Sequence, residues 1–350
     1  MSTHAMALPS PAAGESPGLW TLAWRRFRRD RVGVASFVVA VLFVAVALAS
    51  AAGLVAADWA REVGAGYAPP SFMGAERSDA PPGHAAPAPS AQAVSPEPAI
   101  ADPLEPELAE IRKQLGVAAG AGAKATSLPL GGDKWGRDVL KKTIKGTETS
   151  LLVGLAAAFI AAFLGTVFGA YAGYVGGRVD DFFNWVYSVL TSIPYLLLIL
   201  AVAAVLNQKG VTTVILILGL TGWTGIFRLV RAEYLKHKGR EYVQAADAIG
   251  ASHRRRMFVH ILPNVSHVVL VQLSLHVVLF IKSEVVLSFL GFGVGVDTVS
   301  WGSMLNEAQS ELLTGKWWQL VGATAAMALL ITAFSLYTDA LRDALDPRLK

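Results

Sequence analysis

Long apolar stretches alternate with polar segments along this chain, and the spacing between charges sets the elements it can form. Crossing a bilayer takes about 20 apolar residues, so a run free of Asp, Glu, Lys and Arg marks a candidate span. Six such runs occur or nearly occur, from Val32 to Ala57, Thr149 to Gly177, Phe182 to Gln208, Gly210 to Phe227, Val265 to Ile281 with an apolar continuation, and Trp317 to Thr338. The pattern therefore predicts an all-α polytopic membrane protein with six transmembrane helices. Pro194 lies inside the third run, where a missing amide predicts a kink and a candidate position on a pathway. Gly165, Gly169 and Gly173 form a small-residue stripe in the second run, predicting close helix packing within the chain rather than a homodimer seam. Gly219, Gly222 and Gly225 predict the same in the fourth.

The polar segments differ from one another. Residues 1–31 read as a cytoplasmic tail in which Trp20 to Asp30 makes a basic amphipathic segment, and 32–57 as the first span. Its arginines imitate the start of a secretory signal, but 26 uncharged residues are more than a signal core, so a retained helix is expected over a cleaved one. Residues 58–132 are rich in Ala and Pro and predict a long extracytoplasmic excursion with a short helix over Pro106 to Leu115. Residues 133–350 form the expected membrane core, with five of the six spans and the cytoplasmic loop 237–264. Within it, Val139, Leu140 and Ile144 interleaved with Lys141, Lys142 and Lys145 predict a helix along the outer interface.

Composition agrees with a membrane class: 53% hydrophobic and 16% charged residues. The absence of cysteine excludes disulfides and thiolate chemistry. With the N-terminus inside, seventeen of the thirty Lys and Arg residues fall in cytoplasmic segments, which orients both termini to the cytoplasm. The cluster from Lys134 to Lys145 counts against that orientation. No aromatic-basic module points to nucleic acid, while anionic membrane lipid fits the basic segments.

One polar stretch stands out, from Glu241 to Asn264, inside the cytoplasmic loop 237–264. Tyr242, Ala245, Ala246 and Ile249 share one helical face, Gly250 is placed for a left-handed cap, and a second short helix from Ser252 carries Arg254, Arg255 and Arg256. Pro263 is expected to end this two-helix knob before the fifth span. In the fifth span Lys282 and Glu284 are costly charges that predict either a pathway lining, a contact with a partner membrane subunit or a solvated outer end. They fall on different faces. His260, His267 and His276 are too far apart to converge on a metal, so no metal site is expected.

The stretch resembles the signature loop of bacterial ABC importer permeases, of the peptide and nickel branch: Glu-Ala-Ala, three residues, Gly, nine residues, Ile, one residue, Leu-Pro. Gln244, Ala245, Ala246, Gly250, Leu262 and Pro263 hold those places, with Gln244 for the Glu and His260 for the Ile; Glu241 lies one turn earlier. Gly136-Arg137-Asp138-Val139-Leu140, the run from Leu287 to Gly293, Ser300-Trp301-Gly302 and Leu345-Asp346-Pro347-Arg348 resemble the same branch. The resemblance implies a type I importer permease, half of a pathway for peptides, nickel complexes, opines or peptide-like antibiotics. Its implied partners are a second permease, two cytoplasmic ATPases and an extracytoplasmic substrate-binding protein in a bacterial inner membrane. No phosphate loop occurs, so ATP and Mg are expected on the ATPases and neither cofactor nor catalysis on this chain. An ion-coupled secondary transporter or channel is the competing expectation, which calls for ionisable residues in several spans, and only the fifth has them. A membrane-embedded enzyme lacks a paired-carboxylate, His-x-x-x-His or serine-base arrangement.

Overall fold

The computed structural model describes residues 19–74, 124–295 and 297–345, and among these it is all-helical, with isolated backbone bridges but no strand. The helix expected over Pro106 to Leu115 lies outside the described residues, as does the C-terminal motif beyond Leu345. Among the described residues five helical stretches are long and apolar enough to cross a membrane, and a bent pair makes up to six.

Helix α1, Leu19–Arg29, is the expected basic amphipathic segment. Asp30 separates it from α2, Arg31–Ala51, by accepting a hydrogen bond from the Val32 amide at 3.0 Å. The first span ends at Ala51 rather than Ala57, because Gly53 turns the chain at φ +73° and its amide bonds back to Ser50.

The second span is α3, Val139–Val175, 37 residues capped by Asp138. At about 1.5 Å per residue it is roughly 55 Å long, well beyond the roughly 30 Å of hydrocarbon. The lysine-bearing segment is thus the first turns of the span and not a separate helix along the interface. Each lysine there has a carboxylate within reach: Lys141 with Asp58, Lys142 with Asp133 and Glu307, Lys145 with Glu148.

Pro194 does more than kink the third run. Helices α4, Gly177–Thr191, and α5, Tyr195–Leu206, meet at 87° across an exposed link. Proline has no amide to continue α4 and disfavours helix for the residue before it. The fourth run becomes α6, Val211–Thr221, and α7, Thr224–Lys238, which together make a span longer than expected.

The fifth span is α9, Leu262–Phe289, preceded without interruption by a helical turn at His253–Arg255 and a π-helical turn at Arg256–Ile261. Pro263 therefore does not end the knob. Pro263 sits in the first turn of α9, where no amide is required, and the preceding wide turn, with the Leu262 amide bonded to the Met257 carbonyl, absorbs the change of register. Helix α8, Glu241–Ala248, is the other half of the knob. After the fifth span comes α10, Trp301–Leu313, not foreseen from the sequence, opened by a capping box between Ser300 and Ser303. The sixth span is α11, Trp318–Leu345.

Helix α3 is the centre of the bundle. A Cβ added at Gly165, Gly169 or Gly173 would lie 2.6–2.8 Å from backbone oxygens of Trp223, Phe227 and Arg231, so the stripe brings α3 against α7 backbone to backbone. The expected intramolecular packing is what these glycines do. Gly219 packs on Ile160 of α3, and Gly222 and Gly225 lie against Phe280 and His276 of α9.

These contacts define two rims. The C-terminal ends of α3, α7 and α11 share one with α1 and the knob: Gly173 meets Tyr234, and Gly33 meets Ala340. Helix α4 starts at this rim, whereas Gly210, which follows α5, donates to the Gly293 carbonyl at the opposite one. The bent pair consequently joins the two rims and counts as the sixth crossing.

On the opposite rim the described ends of the excursion close on each other. Gly64 bonds to Gly136, Tyr67 to Asp133, and Ser71 to Leu128 through backbone hydrogen bonds of 2.8–2.9 Å. Trp318 anchors this layer to α11 by donating to the Gly132 carbonyl at 2.7 Å.

Candidate functional site

The knob is built from local rules and then fastened at several points. Helix α8 starts with Glu241 in its first turn and ends in a Schellman motif: the Ala251 amide bonds to the Ala246 carbonyl and the Gly250 amide to Asp247, with Gly250 at φ +83°. Gly250 is the left-handed cap the sequence predicts. A Cβ there would meet nothing within 4 Å, so only its backbone angle demands glycine.

Val243 and Ala246 are buried against the bundle, while Tyr242, Ala245, Ala248 and Ile249 are exposed, Ile249 at 85%. The face predicted from Tyr242, Ala245, Ala246 and Ile249 is thereby divided: three of these point outward and only Ala246 is covered. An apolar face turned to solvent on a short capped helix is a surface shaped for a partner.

The second half of the knob is tied to the spans. Tyr234 of α7, itself fully buried, donates to the Met257 carbonyl at 3.0 Å. Asp247 of α8 pairs with Arg256 at 2.6 Å, joining the two halves across Gly250. The His253 ring nitrogen Nδ1 lies 3.1 Å from the Tyr174 hydroxyl of α3 and 3.0 Å from the Arg256 guanidinium; because guanidinium only donates, that nitrogen accepts. Between knob and α3 lies an open cleft of about 720 Å³ bordered by Tyr171, Lys238, Gln244 and Arg254.

The remaining predicted residues fall in two groups. Glu241, Gln244, Arg254 and Arg255 are exposed on the knob; His260 is partly covered, and its carbonyl accepts from the Asn264 side chain at 2.7 Å. Leu262 and Pro263 belong to the first turn of α9. In the spans, Pro194 and Lys282 are exposed on this chain. Glu284 is not: it is fully buried, accepting from Ser150 of α3 and from Ser288, each at 2.7 Å. It is neither a surface lining nor a solvated end. The two charges do lie on different faces, as the sequence predicts.

Sequence reasoning missed a polar cluster at the opposite rim. Lys142, 1% exposed, donates to Asp133 at 2.8 Å, Glu307 at 2.7 Å and Gln319 at 3.1 Å, joining α3, the preceding loop, α10 and α11. Glu311, one turn beyond Glu307, is fully buried and neither carboxyl oxygen has a hydrogen-bond partner. Burial raises its pKa from 4.5 to about 7, against the pull of Lys142, with Asp133 and Glu307 adding to the rise. Asp58 moves the other way, lowered chiefly by its hydrogen bond to Lys141. The only sequence signal for this cluster was the spacing of Glu307 and Glu311, which places both on one helical face. Among the described residues no cluster suited to a metal ion is present.

Five apolar crossings packed on a sixth, glycine-striped central helix, with a polar knob fastened to one rim, fit a membrane transport permease. The binding-protein-dependent transport system inner membrane component family matches residues 165–350, and the N-terminal transmembrane domain of oligopeptide transport permease C matches residues 18–70. The chain belongs to that inner membrane component family, and it is a multi-pass inner membrane protein. The dipeptide transport system permease protein DppC of Bacillus subtilis is 40% identical over 221 residues, 63% of this chain and 69% of its own length. The oligopeptide transport system permease protein OppC of Haemophilus influenzae is 36% identical over 219 residues, 63% of this chain and 70% of its own.

Proposed function

We propose that this chain is the permease subunit of an ATP-driven peptide importer, forming half of the translocation pathway with a second permease. The knob docks onto cytoplasmic ATPases that carry the ATP and Mg, and an extracytoplasmic binding protein delivers substrate at the opposite rim. The observation that carries this reading is the knob itself: a short helix presenting Tyr242, Ala245 and Ile249 outward, joined through Asp247 to a second half that Tyr234 and Tyr174 hold to α7 and α3. A part so fastened moves as a lever when a partner pushes it, passing the displacement to α3, α7 and α9. The dipeptide and oligopeptide permeases to which the chain is similar support peptides as the cargo. Pro194 at the broken span and exposed Lys282 are the residues we assign to the pathway or the permease interface. The chain itself performs no catalysis.

Ile249 offers the direct test, because it makes little contact within the chain. Ile249→Asp should leave the purified chain folded yet abolish co-purification of the ATPases and substrate-stimulated ATP hydrolysis by the complex. A variant that assembles and transports like the wild type would overturn the docking assignment.

A further inference from the structure

Helices α2 and α11 run antiparallel on the flank of the bundle, and between them lies an apolar groove of about 370 Å³. Arg31 stands at its end on the knob rim, beside Val32; Ala35, Val39, Leu336 and Leu329 line it further in. From Arg31 to Val39 the groove descends about 12 Å at 1.5 Å per residue, close to the roughly 15 Å depth of one leaflet's hydrocarbon. Its walls stay open: Val32 is 58% exposed and Leu329 55%.

The groove's mouth carries net positive charge. Arg31 is exposed and makes no hydrogen bond or ion pair with another described residue, and Asp30 beside it is engaged by the Val32 amide. Exposed Arg25, Arg28 and Arg29 of α1 stand just before it in the chain, with Arg28 over the ring of half-exposed Trp24 at 5.1 Å. Ala23 and Phe27 on the covered face of α1 fix that helix to Tyr337, Ala340 and Ala344 of α11, so the arginines are held near the membrane surface.

We propose that this groove binds an anionic phospholipid, with its phosphate at Arg31 and one acyl chain along Val32, Ala35, Val39, Leu329 and Leu336. Charge complementarity selects an anion, and an apolar channel of one-leaflet depth selects a chain attached to it. Guanidinium pairs with phosphate through parallel hydrogen bonds, and the acyl chain covers apolar walls that a soluble anion would leave bare. This site is independent of ATPase docking at the knob, and the loss of either leaves the other standing.

Native mass spectrometry of the detergent-purified full-length chain, with phosphatidylglycerol or phosphatidylcholine of identical acyl chains, tests the assignment. Wild type should retain phosphatidylglycerol several-fold better. Arg31→Gln should bring the ratio close to one, whereas Arg25→Gln, on the same basic surface but outside the groove, should leave it nearly unchanged. Ala35→Trp, filling the groove from an exposed position, should reduce retention of both lipids. Equal retention by wild type would overturn the proposal without any variant. So would equal effects of Arg25→Gln and Arg31→Gln, which would mean diffuse attraction, or unaltered retention in Ala35→Trp. Displacement of phosphatidylglycerol by millimolar inorganic phosphate would point to a free-anion site. Cross-linking of an Ala35→Cys variant to the second permease in the assembled complex would make the groove a protein interface, and would equally end the lipid assignment.

Discussion

Glu311 is a carboxyl group in a place that disfavours its charge. Its native pKa of about 7 exceeds the ordinary 4.5, so over that interval the folded protein holds a proton that the unfolded chain has released. Stability must therefore fall as pH rises from about 4.5 to 7, by up to about 3 kcal/mol at 1.36 kcal/mol per pKa unit. Glu311→Gln removes the titration, and its apparent Tm between pH 5 and 8 should be flatter than that of wild type; parallel curves would refute the assignment. Lys142 sits in the same cluster with the opposite consequence. Lys142→Met leaves Asp133 and Glu307 without their shared cation and should cost about 3–5 kcal/mol, seen as a lower Tm at neutral pH. Gly250 requires only its backbone angle, so Gly250→Ala should cost about 1 kcal/mol. A much larger loss of ATP-coupled transport would report on the surface that the knob meets.

Helices α3 and α7 approach so closely that side chains have no room at three glycines. Gly169→Val should push the two apart and destabilise the protein by about 1–3 kcal/mol, measurable by thermal unfolding in detergent. Since α7 carries Tyr234, which holds the Met257 carbonyl of the knob, the same substitution should also weaken coupling. The stripe was legible in the sequence because its spacing repeats every fourth residue. Its partner was not, since any neighbouring helix with a flat backbone would have satisfied it. The 87° break at Pro194 shows the converse: proline marks the place, and the surrounding helices set how far the chain turns there.

At the scale of the whole molecule the two rims are chemically distinct. One carries α1 and the knob with their arginines; the other carries the folded loop layer and the Lys142 cluster. The lysines of the first turns of α3, which argued against an N-terminus inside, are each matched by a carboxylate. We expect a tag at position 253 to be protected in intact cells and one at position 90 to be labelled; the reverse pattern would overturn the orientation.

The sequence by itself determined where the chain can cross a membrane, where it cannot, and where the knob and its glycine cap fall. Each of these follows from properties of neighbouring residues: apolar length, missing amides, a left-handed angle. Only the tertiary structure decided which face of α8 stays uncovered, that Glu284 is buried while Lys282 is not, and that Lys142 gathers Asp133, Glu307 and Gln319. Periodicity says which residues share a face and is silent on what lies opposite. Ser150 lies 134 positions before Glu284, and Lys142 lies 177 before Gln319. Such pairs meet only when the helices have packed.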